Sequence, residues 1–214
     1  MKSQEKSVTY VVISHDFKTI FVHIPKTGGT SVESMFGLVQ TWEHKRKKFK
    51  EMDQKGKHWG ITEMTEHYSD YLNNYYKWTI VRNPWERDLS LYNMMKGQMK
   101  YRHLTFKQYL KDVIQFHLEI KDPNFKNLIF QNQVEYITSG YHVAVDDIVR
   151  YEYIDAGWER ICKKIKKPYE KLRHLRKAKK QPIDHYYDQE CIDLVAKMRK
   201  EDIEFLNYDY SEAK

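Results

Sequence analysis

Two short stretches of this 214-residue chain concentrate residue types that bind phosphate-like anions. The first is Pro25-Lys26-Thr27-Gly28-Gly29-Thr30-Ser31, directly after the β-rich run Thr19–Ile24. Adjacent glycines allow a sharp turn that points several backbone N–H groups into one concavity. Lys26, Thr27, Thr30 and Ser31 add donors, and Val32–Phe36 has helical spacing, so the positive end of a helix would face the same space. Together these make an anion cradle. A Walker A loop would need Lys directly after its last glycine, whereas here Lys26 precedes the glycines and Thr30 follows them. A Gly-Gly turn beside a solvated lysine would be an ordinary loop; the strand–loop–helix context is what favours function.

The second stretch is Val81-Arg82-Asn83-Pro84-Trp85-Glu86-Arg87-Asp88-Leu89-Ser90. Arg82 falls at the end of a strand, where open α/β sheets place ligands. A nucleoside triphosphatase would be expected to carry an Mg²⁺-holding Asp there, so Arg82 speaks against that chemistry. Ser90 follows Arg82 by eight residues, about two helical turns, and a guanidinium fork and a hydroxyl at that spacing can converge on a second phosphate. Arg87 reads more simply as a surface ion-pair residue of the strand-to-helix turn.

Positioning these residues requires strands and helices in alternation. Val8–Ser14 and Thr19–Ile24 read as strands joined by a hairpin turn at His15–Lys18. Thr30 or Ser31 could cap the helix after the loop. Tyr76–Val81 reads as a third strand, and a helix opening near Pro84 would carry Leu89, Tyr92 and Met95 on one face. Phe106, Leu110, Val113, Ile114 and Phe116 support a helix from about Thr105 to Glu119. Asp147–Tyr151 suits a further strand and Ile154–Lys166 a helix. A last long helix from Asp188 to Leu206 would be striped by Cys191, Leu194, Val195, Met198, Ile203 and Leu206. The order implies an α/β fold with a largely parallel sheet.

Composition bounds the rest. The net charge of +7 implies an anionic partner without naming it. The length suits one domain spanning residues 1–214. No run reaches the roughly 18 apolar residues of a membrane span, and the start of the chain does not read as a signal peptide. Cys162 and Cys191 form neither a metal-ligand spacing nor a disulfide framework, so a reducing, cytoplasmic location is expected.

Taken together, Phe21–Ser31 and Val81–Ser90 resemble sulfotransferases that use 3′-phosphoadenosine 5′-phosphosulfate (PAPS). They are most similar to the membrane-type carbohydrate superfamily that includes the uronyl 2-O-sulfotransferases. Asp147–Glu152, Tyr186–Asp188 and Asp202–Glu204 extend the resemblance through most of the chain. Asp88 departs from it, standing where the family usually carries an apolar residue, which puts the packing of its helix in doubt. The resemblance implies a P-loop-like three-layer domain, with a mainly parallel central sheet flanked by helices. It implies that Lys26, Thr27, Gly28, Gly29, Thr30 and Ser31 bind the 5′-phosphosulfate, and that Arg82 and Ser90 bind the 3′-phosphate. Lys179 or Lys180, in the basic run 171–180, could touch that phosphate as well.

Sulfuryl transfer to a hydroxyl needs alignment, neutralisation of the departing phosphate and a base. Lys26 suits the electrophilic role. His58, between the two motifs, falls where the resembling enzymes carry a catalytic His. Glu63 could orient it or serve as the base itself. His23, within the strand leading to the loop, suggests packing. Gln131–Gln133 could contact acceptor hydroxyls or be a polar loop, and the Lys45–Lys50 run could grip an acidic glycan or keep the protein soluble. The expected acceptor is a hydroxyl, on a glycan, with no metal, no membrane span and no nucleic-acid partner. Three alternatives remain open here: a phosphoryl-transfer enzyme of P-loop type, a basic nucleic-acid-binding protein, and a non-catalytic relative.

Overall fold

The computed structural model describes residues 12–37, 58–119, 128–173 and 181–213. Strand β1 (Val12–Ser14) turns through residues 15–18 into β2 (Thr19–Val22), and the two pair antiparallel with Ser14 opposite Thr19. Strand β3 (Tyr76–Val81) lies parallel to β2, with Val22 opposite Thr79. Strand β6 (Asp147–Arg150) lies parallel to β3, with Val81 opposite Arg150. The order β1-β2-β3-β6 therefore makes a four-stranded, mostly parallel sheet, as the alternation of elements predicts. Two short strands, β4 (Thr138–Ser139) and β5 (His142–Val143), follow the short helix α6 (Val134–Ile137) and form a separate hairpin.

The run of apolar residues in β2 and β3 is explained by burial on both faces of the sheet. Ile20, Val22 and Val81 pack with Ile61, Met64 and Leu72 of helix α2 (Ile61–Leu72) and with Leu206 of helix α9 (Lys200–Leu206). Phe21, Trp78 and Ile80 point the other way. They meet Val32 of helix α1 (Gly29–Met35) and Trp158 and Ile161 of helix α7 (Ile154–Ile165). A third apolar cluster lies away from the sheet. There Leu89, Tyr92 and Met95 of helix α3 (Pro84–Met95) meet Phe106 and Tyr109 of helix α4 (Phe106–Tyr109) and Val195 of helix α8 (Gln189–Met198). The face expected for α3 is thus buried.

Two expected helices change form. The segment after α4 runs as a π-helix over Leu110–Gln115 before helix α5 (Phe116–Glu119). The wider π turn alters the phase of the side chains, so Leu110, Val113 and Ile114 stay buried while Phe116 is exposed. The last long helix is two helices, α8 and α9, broken at Arg199, where φ is −109° and ψ 22°. Arg199 is fully buried and forks onto Asp88, Nε to Oδ2 at 3.0 Å and Nη2 to Oδ1 at 2.9 Å. Asp88 therefore does not disturb the packing of α3. Its charge is matched inside the protein by an arginine that the apolar stripe of the last helix conceals. Among the described residues no helix is long and apolar enough to cross a membrane.

Candidate active site

The Pro25–Ser31 loop leaves β2 and folds back on itself. Thr27 is fully buried, and its hydroxyl donates to the Ile24 carbonyl at 2.9 Å. Its side chain therefore shapes the loop, and its contribution to a ligand would come from the backbone N–H. Lys26 takes a left-handed φ of 72° and Gly28 one of 89°, two reversals within three residues. Gly28 is the N-cap of α1, and no side chain caps the helix. Thr30 and Ser31, expected as caps, instead lie within its first turn, because the left-handed glycine starts the helix two residues earlier. No side chain caps the first-turn N–H groups, of which that of Ser31 already donates to the Gly28 carbonyl at 3.0 Å. Both glycines also have neighbours that forbid a side chain. A Cβ on Gly28 would lie 2.9 Å from the Tyr151 ring, and one on Gly29 2.2 Å from the His23 ring.

The second motif holds the loop from behind. Arg82 Nη1 donates to the Lys26 carbonyl at 3.4 Å, and its Nε and Nη2 both reach Glu86 Oε2, at 3.1 and 2.9 Å. The Tyr151 ring stacks under the guanidinium at 4.4 Å and also walls Gly28, so one side chain touches both motifs. Ser90 is partly exposed on the same helix that Arg82 precedes.

Arg87 is no surface residue. It is fully buried and donates to the carbonyls of Pro25 at 3.1 Å, Gln131 at 2.9 Å and Ile129 at 3.4 Å. Burial, and then the nearby Arg199 charge, press its pKa below the ordinary arginine value. Gln133, weighed for acceptor contact, is buried and brackets Arg82. Its Oε1 accepts the Arg82 N–H and its Nε2 donates to the Arg82 carbonyl, both at 2.8 Å. That amide continues the sheet's hydrogen bonding past the end of β3, which fixes the direction in which Arg82 leaves.

His58 lies close to the same loop. Its Nδ1 is 3.1 Å from the backbone carbonyl of His23, and a carbonyl can only accept. The neutral ring therefore carries its proton on Nδ1 and its lone pair on Nε2, the tautomer a general base needs. The His58 and His23 rings meet edge-on, with centroids 4.8 Å apart and planes at 73°. The next residue, Trp59, stacks on His67 at 4.7 Å. Glu63 turns back on its own helix, accepting the Gly60 N–H at 3.0 Å. That is a helix-capping geometry.

Lys26, Arg82 and His58 are thus assembled around one loop from segments far apart in sequence. The basic run Lys45–Lys50 and the candidates Lys179 and Lys180 lie outside the described residues. Spacing and residue type do not single out Tyr151, Glu33 or the role of Arg87. Only Gly28 carries a hint, since a glycine forced to positive φ implies a close neighbour. Cys162 and Cys191 are free, and burial pushes each thiol up to about 11, so both are protonated and inert near neutral pH.

A family model described as "Sulfotransferase family" matches residues 9–209. The chain belongs to the sulfotransferase family. The matched span takes in the Pro25–Ser31 loop, His58, Arg82–Ser90 and strand β6, so every part of the site described above falls within it. No curated protein and no solved structure matches the chain.

Proposed function

We propose that this sulfotransferase moves a sulfuryl group from PAPS to a hydroxyl of a carbohydrate acceptor. The observation that carries the proposal is the meeting of the two anion motifs, Arg82 Nη1 at the Lys26 carbonyl, in a chain of this family. The residues present suit the donor. Two glycines whose Cβ positions are blocked let the loop pack against Tyr151 and His23, and Lys26, Thr27, Gly28, Gly29, Thr30 and Ser31 take the 5′ side of the donor. Arg82 and Ser90 take the 3′-phosphate, with Lys179 and Lys180 as further contacts. The donor supplies an activated sulfuryl group on a phosphate leaving group.

His58 Nε2 accepts the proton of the acceptor hydroxyl as that oxygen bonds to sulfur. The bond from sulfur to the 5′-phosphate oxygen breaks, its electron pair stays on the phosphate, and Lys26 stabilises the charge that develops there. The N–H groups and cationic side chains of the protein neutralise the anions, so no metal is invoked. Glu63 supports His58 only indirectly, by fixing the start of α2. Residues 1–214 act as one P-loop-like catalytic domain, cytoplasmic in location.

Calorimetry with 3′,5′-adenosine bisphosphate on the wild type, Lys26→Ala and Arg82→Ala tests the donor site. Binding is expected to weaken in both variants, and affinity unchanged in both would overturn the site. Transfer from labelled donor to a glycan panel tests the chemistry. His58→Ala is expected to lower kcat by roughly 10²–10⁴. Undiminished turnover would remove His58 from the base role.

A further inference from the structure

Beside His58, the base of the proposed transfer, lies a second imidazole, that of buried His23. His23 is only 5 % exposed, and its Nδ1 lies 2.6 Å from Glu33 Oε1, itself on the buried side of α1. An ionised carboxylate can only accept, so His23 donates through Nδ1. The opposite edge of its ring, Cδ2 and Nε2, presses on Gly29, where a Cβ would come within 2.2 and 2.3 Å of those atoms. His23 is therefore fixed on three sides: by the Glu33 carboxylate, by the cradle glycine and by the His58 ring. Its carbonyl in turn sets the tautomer of His58. Simple packing would be served by an apolar side chain. A buried carboxylate–imidazole pair is costly unless its charge has a use.

We propose that Glu33 and His23 are positioning residues for His58. The pair holds the base against the donor loop, and with His23 neutral and its proton on Nδ1 the Glu33 charge stabilises the imidazolium formed when His58 takes the acceptor proton. The inference rests on the sulfuryl-transfer reading of the site and adds a reason for His58 to be basic there. A carboxylate one imidazole away, in a poorly solvated setting, raises the basicity of its neighbour. Three other titratable side chains among the described residues are differently placed. Glu63 accepts from Gly60, His67 stacks on Trp59, and Lys26 sits in the loop, where its charge would act in the opposite direction.

The decisive measurement is an NMR pH titration of the His58 ring in wild type and in Glu33→Gln. The Gln side-chain oxygen can still accept from His23 Nδ1, so the variant removes the charge while keeping the hydrogen bond. The His58 midpoint is expected to fall by about one pH unit. In turnover, the acid limb of the pH–kcat profile should move to lower pH by the same amount and the plateau should drop several-fold. Affinity for 3′,5′-adenosine bisphosphate should stay within about twofold. His23→Asn, whose amide can also donate to Glu33, should recover more activity than His23→Phe. A His58 midpoint unmoved in Glu33→Gln would overturn the proposal, even in an enzyme that transfers sulfate. A midpoint that moves in a protein inactive on every acceptor would uphold the pair and overturn sulfuryl transfer instead.

Discussion

Helix α3 carries two carboxylates two residues apart, Glu86 and Asp88, and each binds an arginine at 2.9 Å. The pairs are chemically alike and do different work. Asp88 and Arg199 are both wholly buried, and the guanidinium makes two further bonds besides those to Asp88, with Nη1 on the Phe130 carbonyl at 2.7 Å and the Asn132 side chain at 3.3 Å. Glu86 and Arg82 sit at the end of the sheet, where the remaining Arg82 nitrogen faces the anion loop and Tyr151 backs its plane. One pair joins the last helices to α3. The other turns a cation toward the backbone of the Pro25–Ser31 loop. Depth and the direction of the spare N–H groups, not the kind of residue, separate a structural pair from a candidate binding pair.

The largest expected effect follows from breaking the deep pair. Asp88→Ala strands the Arg199 charge in the core and should cost about 3–5 kcal/mol of stability, as read by urea unfolding. A loss under about 1 kcal/mol would erase the contrast with Arg82. Arg82→Ala should act chiefly on the ligand, with 3′,5′-adenosine bisphosphate binding roughly 10- to 100-fold weaker, the loss of charge-assisted hydrogen bonds. Stability should fall less than in Asp88→Ala. Glu86→Gln keeps the shape and removes the charge that orients Arg82, so calorimetry should show affinity down only a few-fold. Tighter binding instead would mean that Glu86 competes with the ligand for the guanidinium. The smallest change is expected when the deep pair is replaced as a unit. Asp88→Leu with Arg199→Met should unfold within about 1 kcal/mol of wild type, or be more stable, with nucleotide affinity unchanged.

Much of the frame is legible in the order of residues alone. Tyr76–Val81 is a strand over the whole stretch expected, because its apolar run suits burial on both faces of a parallel sheet. The Gly-Gly turn between strand and helix is legible because left-handed backbone leaves few residue choices. Arg87 reads wrongly as a surface residue for a general reason. An arginine at a helix start is usually solvated, and nothing local announces that its three acceptors are the carbonyls of Pro25, Ile129 and Gln131. The break at Arg199 is hidden in the same way, since its partner Asp88 lies 111 residues earlier.

The amino-acid sequence alone set the order of the main strands and helices, the Gly-Gly loop after β2 and the arginine that follows β3. These depend on backbone propensity and spacing over a few residues. Tertiary structure alone decided which charges are buried and which carboxylate holds which arginine. It also decided that His23 and Glu33 stand behind His58. Those outcomes depend on desolvation and on distances between segments far apart along the chain, and only the assembled fold sets either of them.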